Sequence, residues 1–289
     1  NIEACVRSAL VNRGVNIEVL IYDDDSTDGT PQILSDLTAQ DGRVRRVDTE
    51  ALPIDWNGKQ WGCERMGQAS KGEWLLFTDA DVRLSPECLK TTLIAARASK
   101  CDLISTVPRQ IIGTWMEDAI IPLIHFVLLS YLPMGQMRTT TLPAASAGCG
   151  QFLFVRKSMW IRSGGHAAFR QSMHDGIKLP RAVRSVGGRT DLFDGTQLAE
   201  CRMYRTAGQV WRGFAKNAYE GLGSFALLLF ITVIHIVGHV LPWCWIVWAL
   251  FTDQIATVTT ALAGSAIAIA FIQRMIFAKR FQHSLRTVV

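Results

Sequence analysis

No C-x-x-C pair occurs in this chain of 289 residues, and its seven cysteines are odd in number and scattered: Cys5, Cys63, Cys88, Cys101, Cys149, Cys201 and Cys244. That excludes a zinc site and a disulfide framework, and it predicts reduced core thiols in a cytosol-facing protein. Internal repeats and low-complexity tracts are also absent. Arg43, Arg45 and Arg46 form a basic run without interleaved aromatics. With no nucleic-acid motif beside it, the run reads as a solvated face, and no nucleic-acid partner is expected. No signal peptide opens the chain. Ile2, Cys5, Val6, Ala9 and Leu10 fall on one helical face from the start, so the domain is expected to lack a preceding N-terminal strand.

The most telling absence is of charge. Residues 225–251 contain no Lys, Arg, Asp or Glu, and they exceed the roughly 20 residues a bilayer span requires. Residues 255–272 are a second, shorter candidate. The link Thr252-Asp253-Gln254 carries no positive charge, whereas Arg212 and Lys216 precede the pair and Arg274, Lys279, Arg280 and Arg286 follow it. By the positive-inside rule both flanks are cytoplasmic, giving a hairpin in the inner, or plasma, membrane with the rest of the chain in the cytoplasm. Trp243, Trp245 and Trp248 fit an interfacial belt. His235 and His239 can share a helix face, but two ligands are too few for a metal, so packing or a hydrogen bond is expected. The net charge of +5 suits a membrane surface better than nucleic acid. Two domains follow: a soluble one over 1–221 and a membrane domain with a basic tail over 222–289.

What is present begins with alternation. Candidate strands at 17–22, 43–47, 74–78 and 102–107 alternate with candidate helices at 31–39, 59–70 and 86–99. Pro31 and Pro86 suit first helical turns. The pattern implies an α/β domain with a mostly parallel sheet and helices on both faces. The apolar stretch 115–132, holding Glu117, Asp118, Pro122 and His125, is borderline for a span. It is read as a helix on the membrane surface, with a buried core helix as the alternative. A strand at 151–156, a turn at Ser163-Gly164-Gly165-His166 and a helix ending by Val186 follow; that helix starts near Gly176 or, because of Pro180, nearer Leu179. Strands at 190–193 and 198–204 lead into a helix from Ala207 to about Tyr219.

Two strands end in acid. The run 17–22 closes on Asp23-Asp24-Asp25-Ser26-Thr27-Asp28-Gly29-Thr30, and 74–78 closes on Asp79-Ala80-Asp81. Ligands of such sheets bind beyond the carboxyl ends of the strands, so both clusters are expected to face one crevice. Asp79 and Asp81 are two apart, which on an extended backbone sends both side chains to one side. Carboxylates so grouped suit Mg²⁺ or Mn²⁺ that also holds substrate phosphates.

These clusters, together with Asn57-Gly58-Lys59, resemble family 2 glycosyltransferases of the GT-A fold; Asp25 departs from the Gly more usual in the family. The resemblance implies a nucleotide-sugar donor, with Asp23 and Asp24 at the nucleoside, Lys59 and Asp79 near the nucleotide, and Asp79 and Asp81 on the metal. For Asp24 the structural alternative is a carboxylate capping the helix after Pro31; for Lys59 it is a solvated lysine. The family's acidic acceptor-side pair reads His174-Asp175 here. It implies Asp175 as the general base for an acceptor hydroxyl, against the alternative of a plain helix N-cap. A carboxylate acceptor would need no base. A Gln-x-x-Arg-Trp motif survives only in part: Gln209 and Arg212 keep their spacing, but Gly213 replaces the Trp, and Trp211 precedes the Arg. That decay implies transfer of one sugar rather than polymer synthesis. Arg212 is then a phosphate contact or, equally, a juxtamembrane charge.

Within the family, Cys201-Arg202-Met203-Tyr204, the stretch 211–217, Ala147-Gly148-Cys149-Gly150-Gln151-Phe152 and Gly164-Gly165-His166 look most like bacterial carotenoid and hopene-associated glycosyltransferases. The implied acceptor is a membrane lipid. A polyprenyl-phosphate or polysaccharide glycosyltransferase is the enzyme alternative, and a non-catalytic membrane scaffold is the alternative of another class.

Overall fold

Each apolar run that closes on an acidic turn becomes a strand, and the amphipathic segments between them become helices. The computed structural model describes residues 1–222 (backbone only over 216–222), 225–252, 255 and 257–284. Asp253, Gln254, Arg286 and the side chain of Lys216 lie outside the described parts. In chain order the elements are α1 (Ile2–Leu10), β1 (Val19–Tyr22), α2 (Thr30–Gln40), β2 (Val44–Val47), α3 (Gly58–Ala69), β3 (Trp74–Thr78), β4 (Val82–Leu84) and α4 (Cys88–Ser99). There follow β5 (Leu103–Gln110), α5 (Trp115–Ile120), α6 (Leu123–Tyr131), α7 (Met134–Thr139), β6 (Phe152–Arg156), α8 (Lys157–Arg162), α9 (Asp175–Ser185) and β7 (Thr190–Cys201). The last are α10 (Ala207–Leu222), α11 (Phe225–His235), α12 (Leu241–Phe251) and α13 (Val258–Arg280). They cluster into two compact units, Asn1–Ile111 with Val127–Met203, and Ile112–Phe126 with Tyr204–Val289.

In the N-terminal unit β1 and β2 pair in parallel, and five strands form a second sheet in the order β3-β6-β5-β7-β4. Only β5 and β7 run parallel there; β3–β6, β5–β6 and β4–β7 are antiparallel. The expectation of a mostly parallel sheet is therefore corrected to a mixed one. Periodicity reports burial, and these strands are apolar on both sides because both faces are covered, whichever way they run. Ile104, Phe152 and Phe154 join a cluster with Cys88 and Ala96 of α4. Their neighbours Leu103, Leu153 and Val155 join Trp160 of α8 and Leu179 and Val183 of α9. A third cluster, of Val6, Ile21, Leu34, Leu37 and Val44, seats α1 and α2 on β1 and β2.

Two local expectations change. The stretch 115–132 is two helices, α5 and α6, broken next to Pro122. The start of α5 is fixed by a reciprocal box, in which Glu117 Oε2 accepts the Gly113 N–H at 2.6 Å and Thr114 Oγ1 accepts the Glu117 N–H at 3.4 Å. The two strands expected at 190–193 and 198–204 are one, β7, whose register against β5 jumps between Pro108 and Arg109. Of the two starts expected for the helix that ends by Val186, the one near Gly176 holds: α9 begins at Asp175 and carries Pro180 inside it.

In the C-terminal unit a π-helical turn, Ile236–Val240, joins α11 to α12. The resulting helix, Phe225–Phe251, and α13 are both long and apolar enough to cross a membrane, and few of their residues are buried. Trp245 Nε1 donates to Thr260 Oγ1 at 3.1 Å, and Trp243 packs edge-on against Phe271, tying the two helices together. The rings of His235 and His239 lie 5.5 Å apart, and His235 Nδ1 is 2.9 Å from the Ile231 carbonyl. Both rings meet Phe126 edge-on, which is packing rather than ligation.

Candidate active site

The first acidic loop leaves β1 after Tyr22. Asp23 is buried; its Oδ1 accepts the Ser26 N–H at 3.2 Å and its Oδ2 pairs with Arg46 at 3.1 Å. Thr49 Oγ1 donates to the Asp23 carbonyl at 2.8 Å. Asp23 thus holds the loop in shape, while Asp24, Asp25 and Asp28 are exposed. The capping alternative for Asp24 is not realised, because Gly29 occupies the cap of α2 and Asp28 Oδ1 accepts the Thr30 N–H at 2.9 Å. Asp25 has φ +54°. In that left-handed region Gly is least strained and Asp is tolerated, which accounts for the departure from the family's Gly.

The second loop is set by Asn57, whose Oδ1 accepts the Lys59 N–H at 3.0 Å and caps α3. Gly58 follows because a Cβ there would stand 2.7 Å from Asp24 Oδ2. The cap and the glycine bring Lys59 out beside the first loop. Its ammonium lies 2.8 Å from Asp79 Oδ1 and 3.0 Å from Asp175 Oδ2. Lys59 keeps 36% of its side chain exposed, but its ammonium is paired rather than free: it bridges carboxylates 96 positions apart in sequence. Burial opposes its charge, but Asp175 and Asp79 outweigh that penalty and hold its pKa above the ordinary lysine value.

Asp79 and Asp81 sit in a turn closed by the Val82 N–H on the Asp79 carbonyl at 3.1 Å, not on an extended strand. The expected reason for their proximity fails, yet the two carboxylates remain close enough that Asp79, after burial itself, helps to raise the Asp81 pKa. Asp175 is 3% exposed and is the first residue of α9, with His174 at the cap position, so it is not an N-cap. Its Oδ1 accepts the Gly176 N–H at 2.8 Å. Burial raises the Asp175 pKa, Lys59 opposes the rise and Asp79 adds to it. Gly148, Gly150 and Gly176 explain the motif around Cys149: a Cβ at Gly150 would collide with the Asp175 carboxylate, and one at Gly176 would stand 2.7 Å from the Gly148 carbonyl.

No group of three or more His, Cys, Asp or Glu fit for a metal occurs among the described residues. A cation bound here would take Asp79 and Asp81 from the protein and its other ligands from substrate oxygens. The fit is supported by Asp81 Oδ1, which is buried without a hydrogen-bond partner. A hard divalent ion matches such an oxygen, and Mg²⁺ is commonly held by one or two carboxylates plus phosphates.

Sequence reasoning missed the support around this site. Glu64 on α3 accepts the N–H groups of His166 and Ala167 at 2.8 and 3.2 Å, so the Gly164-Gly165-His166 turn is wrapped onto the helix that carries Lys59. Trp160 Nε1 donates to His166 Nδ1 at 3.1 Å, and burial, aided by Lys59, pushes the His166 pKa down to about 3. The Gly-Gly-His spacing was the available signal, but nothing in it named Glu64. All seven cysteines are free, as expected; Cys244, however, is exposed rather than in a core.

Lys59, Asp79, Asp81 and Asp175 are brought together in the N-terminal unit, with Asp24 beside Gly58. Arg212 belongs to α10 of the C-terminal unit. Beside it, a Cβ at Gly213 would run into the Tyr204 ring, so the family's Trp has no room there.

A family profile, Glycosyl transferase family 2, matches residues 1–175. A 4,4'-diaponeurosporenoate glycosyltransferase of Staphylococcus haemolyticus is 23% identical over 253 residues, covering 86% of this chain and 66% of the relative. The succinoglycan biosynthesis protein ExoO of Rhizobium meliloti is 32% identical over 95 residues, covering 32% and 25%. The chain thus spans just under two-thirds of the first relative's length and a quarter of the second's. Among solved structures, a mannosyltransferase of Pyrobaculum calidifontis in complex with GDP-Man and Mn²⁺ shares the fold at TM-score 0.56 and 17% identity, over 99% of this chain and 80% of that one. TarS 1–349 of S. aureus in complex with UDP-GlcNAc does so at TM-score 0.50 and 13% identity, over 99% and 86%. The chain belongs to glycosyl transferase family 2 and has the GT-A fold.

Proposed function

We propose that this protein transfers a single sugar from a nucleotide-sugar donor to a membrane lipid, using Mg²⁺ or Mn²⁺. The observation that carries the reading is the Lys59 ammonium lodged between Asp79 and Asp175. It joins the donor-side and acceptor-side carboxylates in one electrostatic unit. Asp24 contacts the nucleoside from the solvent side of the first loop. Lys59 offsets negative charge on the departing diphosphate, and Asp79 and Asp81 hold the divalent ion, which when bound supplies charge neutralisation at the same group. Asp175, raised in pKa by burial, takes the proton of an acceptor hydroxyl.

The lipid acceptor is supported by the two exposed apolar helices and by the name of the S. haemolyticus relative. With Arg274, Lys279 and Arg280 near the end of α13, the preferred orientation keeps the catalytic unit in the cytoplasm against the inner leaflet. Domain assignment follows the same reading, with 1–221 catalytic and 222–289 membrane-embedded. Arg212, from the resemblance alone, is a diphosphate contact or, equally, a juxtamembrane charge.

The test is a screen of radiolabelled sugar nucleotides against extracted membrane lipids, followed by analysis of the product. A lipid carrying one sugar, formed only with a divalent cation, is the expected result. A growing chain or a polyprenyl-phosphate sugar favours the enzyme alternative, and no transfer with any donor favours a scaffold. Release of the sugar by mild alkali identifies an ester and hence a carboxylate acceptor, for which Asp175 is not needed as a base.

A further inference from the structure

Three buried polar side chains cross the five-stranded sheet and end at Asp81. Gln110 closes β5, Gln151 immediately precedes β6, and Cys201 closes β7; they are 3%, 5% and 1% exposed. Cys201 stands opposite Gln110 in one ladder and opposite Val82, the residue after Asp81, in the other. An apolar side chain would fill such positions without the cost of burying polar groups.

The hydrogen bonds run in one direction. Gln110 Nε2 donates to the Pro108 carbonyl at 2.9 Å and to Gln151 Oε1 at 3.0 Å. With Oε1 thus accepting, Gln151 turns its Nε2 to Cys201 Sγ, at 3.1 Å. The sulfur accepts from Gln151, which leaves its S–H to donate, and Cys201 pairs across the ladder with Val82, next to Asp81, whose carboxylate interacts with it electrostatically. A chain of donors therefore ends beside an anion whose other feature is a buried, unpartnered Oδ1.

We propose that Cys201, itself held by Gln151, is a positioning residue that aims the Asp81 carboxylate at a divalent cation. The inference rests on the metal reading given under Proposed function. Ligand carboxylates are oriented by hydrogen bonds of this kind, and loss of such a partner typically lowers metal affinity about 10–100-fold. A Ser in place of Cys201 keeps a donor, whereas an Ala does not.

The test titrates Mn²⁺ into the detergent-solubilised full chain with UDP or GDP, whichever the wild type binds more tightly, reading free Mn²⁺ by electron paramagnetic resonance. Cys201→Ala is expected to weaken Mn²⁺ binding by about tenfold while leaving metal-free nucleotide binding unchanged, and Cys201→Ser to stay within about threefold of wild type. Gln151→Met, which removes the donor to sulfur without touching Cys201, is expected to fall between them. It carries the test if Cys201→Ala does not fold. Wild-type Mn²⁺ binding in both Cys201→Ala and Gln151→Met overturns the inference alone. A wild-type protein that takes up no Mn²⁺ beside the nucleotide overturns the metal reading and this inference with it.

Discussion

The N-terminal unit keeps Asp23 and Asp175 almost wholly buried, while the C-terminal unit leaves Phe225 and Phe251 at 68% and 84% exposure. Each unit inverts the ordinary rule for the side chains concerned. In the first, three of the four buried carboxylates pair with a cation, Arg46 for Asp23, Lys59 for Asp175 and Arg138 for Asp191, and the fourth, Glu64, accepts the His166 and Ala167 N–H groups. In the second, the apolar surface faces outward along two helices whose lengths match a bilayer core. The contrast is between a unit that pairs the charge it buries and two helices, long and apolar enough to cross a membrane, that leave apolar area uncovered. On the proposed function, the paired charge is the reactive site and the uncovered area meets lipid.

The comparison breaks most visibly at Asp81. Asp81→Ala should lower metal-supported transfer by about 10²–10³-fold, measured as initial rate against Mn²⁺ concentration, with unfolding unchanged. A variant that keeps both rate and metal dependence contradicts the assignment. On the apolar side, Ile234→Asp places a carboxylate in the first long helix, where a charge at mid-span costs roughly 2.5–3.5 kcal/mol. The fraction resisting alkaline carbonate extraction should fall sharply; an unchanged fraction argues that this helix does not meet lipid.

Two smaller effects sharpen the electrostatic half. Because Lys59 opposes the burial-driven rise of the Asp175 pKa, Lys59→Met should move the acid limb of kcat/KM to higher pH. A limb that stays in place uncouples the pair. His166 remains neutral to about pH 3 when folded, but ionises near its ordinary value of about 6.5 when unfolded. The unfolded state then binds the extra proton below pH 6.5, so stability falls from there toward pH 3 and is fully present above. His166→Asn should flatten the decline of the thermal midpoint between pH 7 and pH 5, though it will also lower the midpoint overall by removing the Trp160 contact.

The strand ends were legible in the sequence because an apolar run stopped by acid is a local signal, and β3 falls at 74–78 as expected. Lys59, Asp79 and Asp175 could be named one by one, but their meeting could not, since it depends on helix and strand ends far apart in the chain. The mixed direction of the sheet was invisible for the same reason: β6 inserts between β3 and β5, and its four buried residues read alike in either direction. Asp79 and Asp81 came together through a turn that alternation does not describe. Glycine positions were visible as a motif, but only the close approach of Asp175 to Gly150 gives them a reason. The Gln110–Gln151–Cys201 line left no trace, because three polar residues at separate strand ends resemble ordinary strand termini.

The most direct test of the account is the rate of sugar transfer to a hydroxyl-bearing lipid by Asp175→Asn, with donor affinity measured alongside. The account predicts a fall in kcat of about 10²–10⁴-fold with donor binding held within a few-fold. Full transfer to a hydroxyl acceptor by the Asn variant would contradict it.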